Sequence, residues 1–576
     1  MNRPYLAIRS RLAAFSFLLL TAGIAVAQSK IASDLQQLPS GTTKNVIVQY
    51  YETPGTSDLD AAVTVGAING KKLGLIKSAK FTMSVSAAQD LVRVDPNVKY
   101  ISPDRPLNGA LNNAVSAVNA DIAQNMGYDG TGVGVAVIDS GVSGVWDLTQ
   151  AGKSATSRII YSQNFDPSAN TTSDLYGHGT HVAGIIAGNG GSSTCGNCAV
   201  TFRGIAPNAN IINLRVLDQN GSATDSTVIA AIQRAIALKS QYNIGVLNLS
   251  LGRGVFESYK LDPLCQAVEQ AWNAGIVVVV AAGNYGRDNS NNNNGYGTIT
   301  SPGNDPYVIT VGAMKTMGTP TRADDLIATY SSKGPTMIDH VVKPDLVAPG
   351  NQIISDLAST NANLYVNYPQ NLVAMSYYVA SNTSNISSNY YQLSGTSMAA
   401  PMVSGAAALL LEQNSSLTPD QIKARLMKTA YKTFPTTSSY TDPSTGITYA
   451  TQYDIFTVGA GYLDVAAALS NTDLAPATSG SALSPAAAYN ALTGAVYLVK
   501  GSSVVWGTSV VWGTSVVWGN SVIWGTSATG QSVLWGTSVC WGTSTSSAFS
   551  VLWGTSVVWG TKTNSDAMAI AVGGDK

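Results

Sequence analysis

Val135-Ala136-Val137-Ile138-Asp139-Ser140-Gly141 is the stretch that decides the fold. Four apolar residues in an unbroken run suit a parallel strand covered on both faces; a half-exposed strand would alternate. The run ends on an aspartate, and ligand sites in open α/β sheets collect at the carboxyl ends of the strands. Beyond it, helical and apolar segments take turns. Residues 178–187 read as a helix of small residues, 211–216 as a strand, 225–238 as an amphipathic helix and 244–249 as a strand. A helix opened by Pro263 runs to 274, and strands follow at 276–281 and 307–311. This alternation predicts an α/β fold, a doubly wound parallel sheet with helices on both faces.

Three further stretches carry chemistry. Gly395-Thr396-Ser397-Met398-Ala399-Ala400-Pro401 opens a long apolar segment that reads as a buried helix. A serine there lies among free backbone N–H groups at the positive end of the helix dipole, where an oxyanion is favoured. Taken alone it is a helix cap. Pro401 is tolerable if it falls in or near the first turn. Gly177-His178-Gly179-Thr180-His181 holds two of the three histidines in the chain. The H-x-x-H spacing without a glutamate is not the zinc-protease pattern, so no metal site is predicted. Ala281-Ala282-Gly283-Asn284 places an amide side chain after a buried strand. Asp139, His178 and Ser397 supply the three parts of an acyl-transfer triad, with Asn284 and the Ser397 N–H as the oxyanion hole.

Val137-Ile138-Asp139-Ser140-Gly141, His178-Gly179-Thr180-His181-Val182-Ala183-Gly184 and Gly395-Thr396-Ser397-Met398-Ala399-Ala400-Pro401 resemble the three motifs of the subtilisin-like serine proteases, in which the order is also Asp, His, Ser. Supporting matches are Gly204-Ile205-Ala206-Pro207, Asn248-Leu249-Ser250-Leu251-Gly252 and Lys343-Pro344-Asp345-Leu346-Val347-Ala348-Pro349-Gly350, so the resemblance covers about residues 120–470. It implies a serine endopeptidase acting on proteins and peptides. Ser250, Leu251 and Gly252, with Ala282 and Gly283, would form the walls of the substrate pocket and pair with an extended substrate backbone. Tyr285 on the rim suggests bulky apolar or aromatic side chains. The resemblance further implies that residues 28–110 are an inhibitory propeptide, with its tail near residues 100–112 entering the cleft. No cofactor is required by it. Calcium occurs in the family and stays open here without being predicted, because the loop 188–203 does not match the family's strong calcium loop and Asp147 reads as a surface carboxylate rather than a surviving ligand. The Asn/Ser/Tyr-rich segment 350–391 is longer than usual and reads as a flap or surface hairpin.

The remainder of the chain fits an exported protein. Its 576 residues carry only 11% charged side chains and a net charge of −1, which offers nothing to nucleic acid. Arg3, Arg9 and Arg11 precede an apolar run that ends Ala25-Val26-Ala27, a signal-peptide pattern. Strands at 46–50, 81–85 and 98–101, with a Ser86-x-x-Gln89 capping box, predict a small α+β module of ferredoxin-like type. Residues 107–120 read as an exposed linker. Cys195 and Cys198 predict a disulfide, either with each other or from one of them to Cys265. Ser-Val-x-Trp-Gly-Thr/Asn recurs with tryptophans at 506, 512, 518, 524, 535, 541, 553 and 559. No acid, base or metal ligand recurs with it, so this repeat is either an attachment element for cell envelope, carbohydrate or itself, or a passive spacer. The boundaries expected are 1–27 signal peptide, 28–110 propeptide, 111–472 catalytic domain, 473–502 linker, 503–561 repeat and 562–576 tail. The leading function is a secreted, self-processing serine endopeptidase. The rivals are a surface-binding repeat protein whose protease domain only processes itself or is largely inactive, and a peptide ligase using the same acyl-enzyme.

Overall fold

The computed structural model describes residues 30–575 except 37, 74–76, 104–109, 151–155, 291–292, 381–384, 444, 491–494, 500–504, 507–508, 511–522, 527–531 and 535–570. The signal-peptide pattern and most of the Trp repeat, with Cys540, lie outside the described residues. The chain divides into two compact units, the first ending at Leu107 and the second starting at Asn108.

In the first unit the order is β1 (Thr43–Tyr50), α1 (Thr56–Thr64), β2 (Ile68–Leu73), β3 (Ser78–Ser84), α2 (Val85–Val94) and β4 (Val98–Pro103). The strands form one antiparallel sheet in the order β2-β3-β1-β4, the βαββαβ arrangement. Alternation in β1 and β3 buries Val46, Val48, Ala79, Phe81 and Met83 under the helices. Two elements escaped the sequence reading. Strand β2 is almost wholly exposed, so it carries no apolar period, and α1 buries only Ala62. The cap of α2 is also displaced: Ser84, not Ser86, accepts from the Ala87 N–H at 3.1 Å.

The second unit is built on an eight-stranded sheet. Two helices come first, α3 (Ala110–Ala117) and α4 (Ala120–Asn125). Ala114, Ala117 and Ala120 on them, and Val118 between them, are buried in the main core. The exposed linker expected at 107–120 is therefore wrong from residue 110 onward. Small apolar residues there pack at helical spacing among the asparagines. Next come β5 (Gly134–Asp139), β6 (Ile159–Asn164), α5 (Gly179–Ala187), β7 (Asn210–Arg215), α6 (Asp225–Tyr242) and β8 (Ile244–Leu249). They are followed by α7 (Pro263–Asn273), β9 (Val277–Ala281), β10 (Ile309–Lys315), β11 (Leu326–Ile327) and β12 (Leu346–Pro349). The strand order is β11-β10-β9-β8-β5-β7-β6, with β12 also paired to β10; only β11 runs antiparallel. Every residue of β5 and β9 is buried, as strands covered on both faces require. Helices α6 and α7 pack together, and α5 packs with the long central helix described next.

Beyond β12 the chain forms β13 (Ile353–Asp356), β14 (Leu372–Ala374) and β15 (Ile386–Leu393), then α8 (Thr396–Gln413) and α9 (Pro419–Thr429). Strands β13, β15 and β14 make a separate antiparallel sheet. The segment is not a surface flap: Tyr378, Tyr390 and Tyr391 are at most 2% exposed and join the main core. Its polar composition misled because three tyrosines hide their rings and hydrogen-bond their hydroxyls inside. Helix α8 is buried on all sides from Met398 to Leu410 and runs against β8, β9, β10 and α5. Residues 473–487 are no linker either. Ala475, Ala482 and Ala487 lie in the core, and Asp420 at the start of α9 accepts from the Ala482 N–H at 2.7 Å. Cys195 is bonded to Cys198, while Cys265 is a buried free thiol. Among the described residues no helix is long and apolar enough to cross a membrane.

Candidate active site

The site lies at the carboxyl edge of β5, β8 and β9. The strand order turns at β5, because the chain fills β6 and β7 on one side and β8 onward on the other; this is where open sheets leave a crevice. Asp139 ends β5 and is fully buried. His178 is the N-cap residue of α5, 8% exposed. Gly179 brings the two together: a Cβ there would lie 2.2 Å from the Gly141 carbonyl and 3.1 Å from the Asp139 Cβ. Without a side chain at 179, the helix start can rest on the end of the strand. His178 Nδ1 then lies 2.7 Å from Asp139 Oδ1, which places the proton on Nδ1 and leaves Nε2 with its lone pair. Burial lowers the His178 pKa, but the Asp139 charge, its hydrogen bond and the Asp174 charge outweigh it, and the net shift is upward.

Ser397 is the second residue of α8, behind Gly395 as N-cap, so it is not the cap. Its Oγ donates to the Ser250 carbonyl at 3.1 Å, an orientation one χ1 rotation from other partners. Pro401 falls at the sixth residue of the helix, just past the first turn. Lacking an N–H, it leaves the Ser397 carbonyl without its helical donor. Ser250 Oγ takes that place at 2.8 Å. Asn248 Nδ2 donates to Ser250 Oγ at 3.0 Å, and Asn248 Oδ1 accepts from Ser404 Oγ at 2.7 Å.

Asn284 follows β9. Its Oδ1 accepts from Thr396 N and Thr396 Oγ1 at 2.9 and 3.0 Å. Both acceptances orient the amide and direct Nδ2 away from Thr396. Ser250, Leu251 and Gly252 follow β8, and Ala282 and Gly283 follow β9, as the sequence expects. Thr300 lies between these walls: a Cβ at Gly252 would meet its Oγ1 at 2.6 Å, and one at Gly283 its Cγ2 at 2.7 Å. A cavity of about 390 Å³ is lined by His178, Ser397, Asn284, Tyr285 and residues 250–252.

A family model described as the subtilase family, peptidase S8, matches residues 130–488. The chain belongs to the subtilase family. Serine protease AprX of Bacillus subtilis (strain 168) is 38% identical over 355 residues, 59% of this chain and 71% of AprX. Subtilisin DY of Bacillus licheniformis is 32% identical over 316 residues, 55% of this chain and 90% of that protein. Subtilisin E of B. subtilis is 31% identical over 400 residues, 68% of this chain and 86% of that protein. The protein is accordingly a serine-type endopeptidase.

Several residues of this subtilase site were not singled out from the sequence. Asp174 is 2% exposed. Its Oδ1 accepts from Ser140 Oγ at 2.8 Å and the Gly177 N–H at 2.7 Å, and its Oδ2 from the Thr180 N–H at 2.8 Å. Burial raises its pKa, opposed by these three donors. Ser140 Oγ in turn accepts from the Gly179 N–H at 2.9 Å. A carboxylate four residues ahead of a Gly-His-Gly helix start was a legible signal, since acids favour helix N-termini. The second histidine has a different setting. His181 Nε2 lies 3.0 and 3.1 Å from the Ile353 and Tyr391 carbonyls, so it carries a proton and ties β13 to β15. Burial first and the neighbouring His178 second lower its pKa to about 3. Asp147 is not on the surface: it is 1% exposed and accepts from Tyr390 Oη at 2.7 Å and the Ser192 N–H at 2.6 Å. Among the described residues no group of three or more His, Cys, Asp or Glu side chains is placed to hold a metal ion.

Proposed function

We propose that the chain is made as an exported pre-pro-protein and that Asp139, His178 and Ser397 hydrolyse peptide bonds through an acyl-enzyme. The observation that carries this reading is the 2.7 Å Asp139–His178 pair opening into one cavity with Ser397 and an amide-oriented Asn284. Turning χ1 moves the Ser397 hydroxyl from the Ser250 carbonyl towards His178 Nε2, a tightening expected on substrate binding. Nε2 takes the proton as Oγ attacks the scissile carbonyl. Asn284 Nδ2 and the Ser397 N–H hold the resulting oxyanion. The protonated Nε2 then delivers its proton to the leaving amine, and water repeats the sequence on the acyl-enzyme. Asp139 keeps the Nδ1–H tautomer and stabilises the imidazolium throughout.

The substrate lies extended between residues 250–252 and 282–283, held mainly through its backbone. The βαββαβ unit of residues 30–103 acts as the propeptide, and cleavage downstream of it releases the active form. Residues 1–27 direct export, and the Trp repeat attaches the product to a surface or spaces it from one. A fluorophosphonate probe on secreted protein, beside Ser397→Ala, tests the enzyme. Labelling of the wild type alone, with hydrolysis about 10⁶-fold lower in the variant, is the expected result. A folded mature wild type that takes no label refutes it. Terminal sequencing of the secreted form tests the processing; an active form still carrying residues 28–110 covalently attached would remove the propeptide role.

A further inference from the structure

The last described residues of the chain, 571–575, are seated beside the nucleophile within the second unit. The Ser394 N–H donates to the Ala571 carbonyl at 2.8 Å, and Asn371 Nδ2 to the Val572 carbonyl at 2.8 Å. Asn351 pairs with the Asp575 backbone in both directions: Nδ2 donates to its carbonyl at 2.8 Å and Oδ1 accepts from its N–H at 2.8 Å. The Asp575 side chain is 1% exposed. It accepts from Arg287 Nη2 at 2.6 Å, the Thr329 N–H at 2.9 Å and Thr329 Oγ1 at 2.7 Å. Gly574 has φ +58°, and a Cβ there would lie 2.3 Å from Ser394 Oγ and 2.6 Å from Asn351 Oδ1. Ala571, at the other end of the segment, lines the same cavity as His178 and Ser397.

The seat is built without help from its occupant. Arg287 is fixed by Asp442 at 3.0 Å, by Thr329 Oγ1 at 2.8 Å and by the Tyr449 ring, whose centroid is 4.8 Å away. Asn371 is held by the Gln392 carbonyl at 2.8 Å. A guanidinium so held, with a backbone N–H beside it at Thr329, calls for a carboxylate, since an empty seat leaves that donor unpaired.

We propose that this seat is a binding site for acidic peptide segments, and that residues 571–575 fill it as a built-in competitor. Arg287 and Thr329 read the carboxylate, Asn351 reads the backbone, and Ser394 forces a small residue just before the acid. Substrates that extend past Ser397 on the Ser394 side must displace the tail, and those that place an acidic side chain at Arg287 do so best. The statement about substrates rests on the protease reading above; the binding site does not.

The test uses the full chain with Asp575→Lys, and Gly574→Val as a second variant that disrupts the seat by volume rather than charge. Active sites are counted with a fluorophosphonate probe. Either variant should raise kcat/KM for an internally quenched octapeptide at least tenfold and leave a short acyl-peptide anilide within twofold. Equal changes on both substrates, or none on either, overturn the competitor. In a second measurement, excess phenylmethylsulfonyl fluoride is present and the anisotropy of a fluorescent Ala-Val-Gly-Gly-Asp-Lys peptide is followed. It should bind the Asp575→Lys chain at least tenfold more tightly than the wild-type chain, and an Asn-for-Asp peptide should bind at least tenfold more weakly. Equal binding to both chains, or binding that ignores the carboxylate, overturns the site. Loss of fluorophosphonate labelling would remove the protease reading and leave this binding result standing by itself.

Discussion

Asp174→Asn should separate what the buried carboxylate does for the fold from what it does for the site. Asp174 accepts three hydrogen bonds and donates none through its side chain. An amide has one oxygen. Keeping that oxygen at the Oδ1 position preserves the Gly177 and Ser140 contacts and turns the NH₂ against the Thr180 N–H. One charge-assisted bond is then lost, about 1.5–3 kcal/mol, and one buried donor is left unpaired, about 1–3 kcal/mol. The neutral amide is cheaper to bury than the carboxylate it replaces, whose pKa burial pushes up, and this returns part of the loss. A net destabilisation of about 2–4 kcal/mol follows, read by urea unfolding in a Ser397→Ala background that cannot digest itself. The site should respond separately. Asp174 helps to raise the His178 pKa, so its removal lowers that pKa. His178 must be neutral to act as base, and the acid limb of kcat/KM therefore moves to lower pH. An unchanged limb together with a destabilisation below about 0.5 kcal/mol would mean that Asp174 is not the charged acceptor described. A limb that moved to higher pH would contradict the sign.

Other outcomes can be measured alongside. Asn284→Ala should lower kcat about 10²–10³-fold with a small change in KM, because in the proposed mechanism its Nδ2 meets charge that develops only in the transition state; steady-state kinetics on one peptide suffices, and a pure KM effect would contradict the role. Asp345→Asn should destabilise the fold by about 3–5 kcal/mol in chemical unfolding, since it strips the carboxylate that buried Lys343 and Lys423 contact at 2.7 and 3.3 Å; a loss below about 1 kcal/mol would show that the pair was already neutral. Lys423 and Lys333 should each make a contribution to stability that rises with pH between about 7 and 10, because burial lowers the Lys423 pKa to about 7 and that of Lys333 to about 8. In that window the unfolded chain binds protons that the folded chain has released, giving at most about 1.4 kcal/mol per pH unit for each lysine. Lys423→Met should flatten the slope, and an undiminished slope would assign it elsewhere.

The parts of the site that could be read from sequence are those where one residue type has one use. Asp139 after four buried apolar residues, two histidines in a glycine-rich helix start and Asn284 after a valine run each sit at the end of an element whose period is plain. Strands β5, β7, β8 and β9 were legible within a residue or two for the same reason, whereas β6, β11 and β12 were not read and β10 runs 309–315 rather than 307–311. Around the site, what escaped was polar and buried. Tyr378, Tyr390 and Tyr391 carry no apolar period because their hydroxyls find partners inside, so a core sheet read as a flap. Asp147 read as a surface carboxylate, although the Tyr390 hydroxyl and the Ser192 N–H meet it in the interior. The seat of Asp575 draws on residues 287, 329, 351 and 371, dispersed over 85 positions of the chain, and none of them stands out in its own neighbourhood.

Pro401 is where the sequence breaks a local rule, and the break has a use. A proline inside a helix costs about 3 kcal/mol or more, through a lost hydrogen bond and a clash with the carbonyl four residues earlier. That carbonyl belongs to Ser397. Freed from the helix, it is held at 2.8 Å by Ser250, whose own carbonyl accepts from the Ser397 hydroxyl at 3.1 Å. Ser397 is thus paired in both directions with Ser250, whose Oγ accepts from Asn248 Nδ2, and Asn248 Oδ1 accepts in turn from Ser404 Oγ. A regular helix would have satisfied Ser397 within itself and left the wall to find its own position. With proline at 401, the segment that follows β8 and the start of α8 are registered against each other by hydrogen bonds between Ser250 and Ser397, which fixes the Ser397 backbone beside residues 250–252 while its hydroxyl stays free to turn about χ1.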